Sequence, residues 1–153
     1  NYFRLGEGKY FVDLPGYGFA KAPAEIRDQW ENLLAPYLVH RSPLAGLVLI
    51  MDCRHPLTEL DMQMIDWFAQ TGKPIHVLLS KADKLTRNEQ AQVVLEVKGA
   101  LAALGDRCSV QLFSSLKTQG IEEVNNVVAA WFAAAAEQAE AEAENPLPDE
   151  NEG

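Results

Sequence analysis

Cysteine is scarce in this chain: two residues in 153, Cys53 and Cys108, with no second thiol or histidine at metal-ligand spacing from either. That excludes a disulfide-stapled framework and a Cys/His zinc site, and buried, reduced thiols are the expectation. No apolar run approaches the ~20 residues of a spanning helix, so no membrane segment is expected. Positive charge is short as well, with 13 Lys and Arg against 22 Asp and Glu and a net charge of −9. The deficit is concentrated at one end. Residues 137–153 hold seven acids (Glu137, Glu140, Glu142, Glu144, Asp149, Glu150 and Glu152) and no base, which leaves 15 acids against 13 bases, a net of −2, for the rest. A nearly neutral body gives no basic face for DNA, while an acidic tail does not exclude an RNA-rich partner. A cytoplasmic monomer is expected.

A hydrophobic fraction of 48% over 153 residues is enough for one domain with a core. Residues 1–5 and 9–13 are short β-type runs around Gly6-Glu7-Gly8, a hairpin pattern. The turn-rich Asp13-Leu-Pro-Gly-Tyr-Gly18 follows, and helical spacing then begins with Ile26, Trp30, Leu33, Leu34, Tyr37 and Leu38. Pro36 interrupts this pattern and predicts a kink or stop near Leu34.

The apolar run Leu44–Met51 predicts a strand covered on both faces. Thr58-Glu-Leu-Asp61 opens a helix through Leu60, Met64, Ile65 and Phe68 that Gly72 ends, and Pro74–Leu79 is the next buried strand. Thr86-Arg-Asn-Glu89 opens another helix, with Gly105 as its stop, and Ser109–Phe113 is the last strand. Ile121, Val124, Val127, Val128, Trp131 and Phe132 mark a final helix. It is expected to fray beyond about Glu140, so that residues 1–136 form the domain and 137–153 an acidic, disordered tail. Alternating strands and helices after a hairpin predict an α/β fold: a mostly parallel sheet, an N-terminal antiparallel hairpin strand, and helices on both faces.

Three loops after strands carry chemistry. In Asp13-Leu14-Pro15-Gly16, a carboxylate at a strand's end can hold a water of a Mg²⁺ shell, and a glycine lets its backbone N–H approach a phosphate. In Ser80-Lys81-Ala82-Asp83, the Asp83 carboxylate can accept two hydrogen bonds from the N1 and N2 edge of guanine, which adenine cannot supply. The alkyl stem of Lys81 can lie along the base plane. In Phe113-Ser114-Ser115, a backbone N–H of Ser115 can meet guanine O6, with the small Ser114 permitting a tight loop. Ligands in open parallel sheets bind beyond the carboxyl ends of the strands, where all three loops are expected to emerge.

These residues resemble GTP-binding proteins related to translation factors, and in particular the EngB family of bacterial ribosome-assembly GTPases. The resemblance rests on Val12-Asp-Leu-Pro-Gly-Tyr-Gly18, Met51-Asp-Cys-Arg-His-Pro-Leu57, Leu78-Leu-Ser-Lys-Ala-Asp-Lys-Leu85 and Phe113-Ser-Ser-Leu-Lys-Thr-Gln-Gly120, and covers residues 1–132. It implies a P-loop GTPase fold, GTP/GDP and Mg²⁺ as cofactors, and Asp13 serving the Mg²⁺ through water. Gly16 would serve the γ-phosphate, and Lys81, Asp83 and Ser115 would read guanine. The segment from Gly16 to about Glu25 would move as a switch. It implies as well a role on a large-subunit assembly intermediate of the ribosome, and thereby in cell division and septation.

The chain departs from the family pattern in three places. The Gly-x-x-x-x-Gly-Lys-Ser/Thr phosphate loop is nowhere in these residues, nor is the upstream switch threonine, and the first residue is Asn1. The expectation is that the sequence begins part-way through its protein. It would lack the first strand, between those ending at Asp13 and Asp52, and so leave a gap in the sheet. The intact protein is then expected to be a slow GTPase and these residues alone inactive, because phosphates supply much of the binding. Ser80 stands where Asn or Thr is usual, and Tyr17 stands where many GTPases carry a water-orienting Gln.

Other readings start from single residues. His55 is expected to fix its loop, His40 and His76 to be structural, and Trp30, Trp67 and Trp131 to pack against the core. An alternative class, a non-nucleotide interaction module or phospho-accepting receiver domain, would use Asp52 and Lys81. It lacks an acidic pair for Mg²⁺ and leaves Asp13-Leu-Pro-Gly16 without a role.

Overall fold

The computed structural model describes residues 2–14, 23–39 and 44–145, with the side chains of Tyr2, Phe3, Pro23 and residues 34–39 excepted. The hairpin is β1 (Tyr2–Gly6) and β2 (Lys9–Val12), antiparallel, with Gly8 at φ 70° in the turn. Helix α1 (Pro23–Val39) leads to β3 (Leu47–Asp52), α2 (Glu59–Ala69) and β4 (Ile75–Ser80). A 3-10 turn (Ala82–Lys84) precedes α3 (Arg87–Ala100), and β5 (Cys108–Leu112) and α4 (Ile121–Glu144) complete the order.

Strands β3, β4 and β5 form a parallel sheet in that order, with Leu49 beside Val77 and Val77 beside Val110. The hairpin is a separate two-stranded sheet, so the strand ending near Asp13 is not hydrogen-bonded to the one ending at Asp52. Leu14 nevertheless packs against the core of the parallel sheet.

Alternation along the strands divides the sheet into two unlike faces. Leu47, Leu49, Met51, Ile75, Val77, Leu79 and Val110 share one face. They cluster with Ile26 and Trp30 of α1, Met64, Ile65 and Phe68 of α2, and Val93 and Val97 of α3. The other face carries Val48, Ile50, His76, Leu78, Ser109 and Gln111, with α4 alongside it. Helices do lie on both faces, but the double cover expected for Leu44–Met51 fails at Ile50, which is 61% exposed. No residue of α4 is buried, so that face is only partly screened.

Both helix starts form the expected capping boxes, Thr58 with Asp61 and Thr86 with Glu89. Three boundaries differ from expectation. Helix α1 continues past Pro36 to Val39. Pro36 falls in its last turn, where the missing N–H costs one intrahelical bond. Helix α3 ends at Ala100, before Gly105, and a 3-10 segment (Ala102–Arg107) follows. Tightening to three residues per turn eclipses positions three apart, which suits Leu101 in the core and Leu104 against it. Helix α4 runs to Glu144 rather than fraying near Glu140, because alanine, glutamate and glutamine are all strong helix formers.

The tryptophans pack as expected. Trp30 is 1% exposed and its ring lies 6.4 Å from that of Trp67, and Trp131 meets His76 edge-on at 6.4 Å.

Candidate functional site

The register aligns Asp52 with Ser80 and Leu79 with Leu112, so the loops after β3, β4 and β5 leave from one edge of the sheet. Backbone bonds then join them: Cys53 N–H to Ser80 O at 3.0 Å, Phe113 N–H to Leu79 O at 2.8 Å, and Ala82 N–H to Phe113 O at 3.1 Å. The Ser80 hydroxyl donates to Met51 O at 3.1 Å, which is the loop-bridging role its shorter side chain still allows.

Within this frame the Ser80–Asp83 and Phe113–Ser115 segments interlock. The hydroxyl of Ser114, fully buried, donates to Asp83 Oδ1 at 2.6 Å and accepts from Lys117 N–H at 3.1 Å. One hydroxyl thus fixes a carboxylate 31 residues away and closes its own loop. That donation is the main cause holding the Asp83 carboxyl below the usual carboxylate range. The loop is closed again by a two-way backbone bridge between Ser114 and Gln119. Ser115 is exposed, and its N–H has no partner among the described residues.

Lys81 adopts the left-handed conformation at φ 59°, which turns the chain sharply off β4. Its carbonyl accepts from the Cys53 thiol at 3.2 Å and from Lys84 N–H at 2.9 Å. Gln90 in the first turn of α3 donates to Ala82 O at 2.7 Å and Leu85 O at 3.3 Å, holding the 3-10 turn from outside.

The Asp52 carboxylate receives Arg54 through N–H at 2.9 Å, Nε at 3.1 Å and Nη2 at 2.8 Å, with Lys81 Nζ 3.3 Å away. Hydrogen bonds from Arg54 are the largest influence pushing the Asp52 carboxyl far below the usual range. Burial pushes the Cys53 thiol up, with the neighbouring Asp52 charge adding to it.

The structure therefore brings together Ser80, Lys81, Ala82, Asp83, Phe113, Ser114 and Ser115. Asp13 follows the separate hairpin strand, is exposed, and makes no hydrogen bond or ion pair among the described residues. Its expected place on the shared edge of the parallel sheet is not given by strand pairing, because β2 has no neighbour in that sheet. Leu14 reaches the core instead, while Pro15, Gly16 and Tyr17 lie outside the described residues, as does most of the expected switch. His55 closes the turn after β3 through its backbone N–H to Asp52 O at 3.0 Å. Sequence reasoning missed Gln90, whose spacing from the loop it holds carries no recognisable pattern, and the loop closure at Gln119, which is made by backbone groups alone.

A parallel α/β sheet whose strand-end loops converge in this way has the fold of the P-loop GTPase class. Among solved structures, the translation elongation factor SelB of Methanococcus maripaludis shares it with a TM-score of 0.63 and 16% identity, over 85% of this chain and 27% of that one. The chain belongs to the EngB family. It is 56% identical over 147 residues to "Probable GTP-binding protein EngB" of Neisseria gonorrhoeae, covering 95% of this chain and 70% of the relative. It is 60% identical over 134 residues to the protein of that name in Dechloromonas aromatica, covering 86% and 61%. The one in Azoarcus sp. is 58% identical over 144 residues, covering 94% and 69%. No protein-family model matches the chain. The chain thus spans about three fifths to seven tenths of the length of these relatives.

A receiver domain would also set a lysine beside Asp52, but it needs further acids there to hold Mg²⁺. Among the described residues no group of three His, Cys, Asp or Glu side chains could hold a metal ion.

Proposed function

We propose that this chain supplies the guanine-reading half of a GTP-binding switch. The observation that carries the reading is the 2.6 Å hydrogen bond from buried Ser114 to Asp83, which presents a charged, oriented carboxylate at the edge where β4 and β5 end. Asp83 would accept from guanine N1–H and the N2 amino group, Lys81 would lay its stem along the purine, and the Ser115 N–H would donate to O6. An adenine offers an acceptor at N1 and a donor in place of O6, so it would leave the same groups unpaired. That mismatch, rather than contact area, would set the preference.

The fit to Mg²⁺ rests on Asp13. Asp13 is a carboxylate with no partner among the described residues, a hard oxygen donor suited to holding a metal-bound water, and Mg²⁺ keeps several waters in such sites. Bound there, the ion would neutralise charge on the β- and γ-phosphates.

Membership of the EngB family supports extending the proposal to a GTPase that acts in the cytoplasm on a large-subunit assembly intermediate of the ribosome, with consequences for cell division and septation. Co-sedimentation of the protein with large-subunit precursors in GTP but not GDP is the expected result for that part. No binding in either state would overturn it.

The central test is nucleotide selectivity of the full-length protein that carries this chain. GDP and GTP should bind and ADP should not. Asp83→Asn should lose guanine and gain xanthine, whose O2 accepts from the new amide. Equal binding of guanine and adenine nucleotides, or a guanine preference that survives Asp83→Asn, would refute the reading.

A further inference from the structure

The Asp52 carboxylate lies at the end of β3, in the strand beside the one that delivers Lys81. The Arg54 fork engages both carboxylate oxygens, and Oδ2 keeps room for one more donor, which is Lys81 Nζ at 3.3 Å. The other end of Lys81 is held independently, by its left-handed backbone and by the Cys53 and Lys84 donors on its carbonyl. The four-carbon stem is therefore pinned at both ends across the edge where the base would lie.

An ion pair whose lysine is 58% exposed contributes little to folding. What it does constrain is the direction of a side chain with several rotatable bonds, whose freedom is otherwise lost when a ligand binds. The Arg54 hydrogen bonds push the Asp52 carboxyl well below the usual carboxylate range, so the tether is not a switch near neutral pH.

We propose that Asp52 is a positioning residue: it holds the ammonium of Lys81 so that the lysine stem is already laid out as a platform for the face of a guanine nucleotide. This rests on the guanine reading of the Ser80–Asp83 and Phe113–Ser115 loops. Asp52 touches no base; it acts through Lys81, and it sets affinity rather than the choice of base, which belongs to Asp83.

The test is a double-mutant cycle in the full-length protein, read by titration with fluorescent GDP and by competition with GDP, XDP and ADP. Asp52→Asn should weaken fluorescent GDP by about three- to fivefold, the scale of one partly exposed ion pair. The ratio of GDP to XDP affinity should not change. Asp52→Glu, which keeps the charge, should stay within about twofold of the parent, again on the scale of one such pair. Lys81→Met keeps an unbranched stem without the ammonium, and in that background Asp52→Asn should have no further effect. Should Asp52→Asn not fold, Asp52→Ser takes its place. Independently of nucleotide, the side-chain ammonium resonance of Lys81 in nitrogen-labelled protein should be visible in the parent and lost with Asp52→Asn. Unchanged affinity in Asp52→Asn, losses that multiply in the double variant, or an unchanged Lys81 resonance would each overturn the inference while leaving the guanine reading intact. A parent protein that does not prefer GDP to ADP would overturn both.

Discussion

Gln111→Leu is expected to destabilise the fold by more than its loss of one polar side chain suggests, because Gln111 serves three partners at once. It is 3% exposed; its amide nitrogen donates to Leu112 O at 3.0 Å and Gly120 O at 2.8 Å, and its carbonyl meets His76 Nε2 at 2.7 Å. With the amide nitrogen committed to two carbonyls, the oxygen must face the imidazole. His76 therefore carries its proton on Nε2, and Nδ1 accepts from the Ser109 hydroxyl at 2.6 Å. Leucine would leave the Nε2–H of a residue only 1% exposed with no acceptor, a penalty of about 1–3 kcal/mol. The two lost amide bonds add about 0.5–1.5 kcal/mol each. Against a typical domain stability of about 5–15 kcal/mol, a total of about 2–6 kcal/mol should be plain in urea unfolding followed by circular dichroism. The diagnostic step is the double variant His76→Leu with Gln111→Leu. Removing both partners abolishes the orphaned donor, and the exposed Ser109 hydroxyl can turn to water, so the pair should cost less than the two singles together by about 1–3 kcal/mol. Costs that simply add, or a single Gln111→Leu cost below about 0.5 kcal/mol, would refute this account of the buried network.

Gly120→Ala should destabilise by about 1–3 kcal/mol in the same assay, since φ is 85° and a new Cβ would be driven into the Leu112 carbonyl oxygen and to 2.6 Å from Gln111 Nε2. A neutral result would mean that α4 does not begin as described. Acid unfolding should be shallower in Asp52→Asn than in the parent. The Asp52 carboxyl is depressed in the folded chain, so below about pH 4 the unfolded chain takes up its proton first and that stability is lost as pH falls. Identical acid limbs in parent and variant would contradict the depressed carboxyl. With a thiol-reactive disulfide at pH 8, Cys108 should react before Cys53, because Cys53 is 2% exposed and both thiols are pushed up by burial. Faster reaction at Cys53 would show that the loop after β3 opens.

The composition and order of residues were enough to read the alternation of elements. Helix starts at Thr58 and Thr86 are legible because a capping box is satisfied within four residues. Strand β4 is legible because a central strand is buried on both sides, and four of its five buried residues are apolar, His76 being the exception. The Ser80–Asp83 and Phe113–Ser115 loops stand out by residue type alone, and the structure brings them together. Local chemistry is written locally. Only the tertiary structure decided how those pieces act on one another: Ser114 on Asp83, Asp52 on Lys81, Gln111 on His76, across 31, 29 and 35 residues respectively. It also left Ile50 open on the second face, where apolar character alone predicted cover. The physical reason is that burial and hydrogen-bond partnership depend on which strands become neighbours, and that pairing is fixed by the summed packing of the core, not by any single stretch of chain.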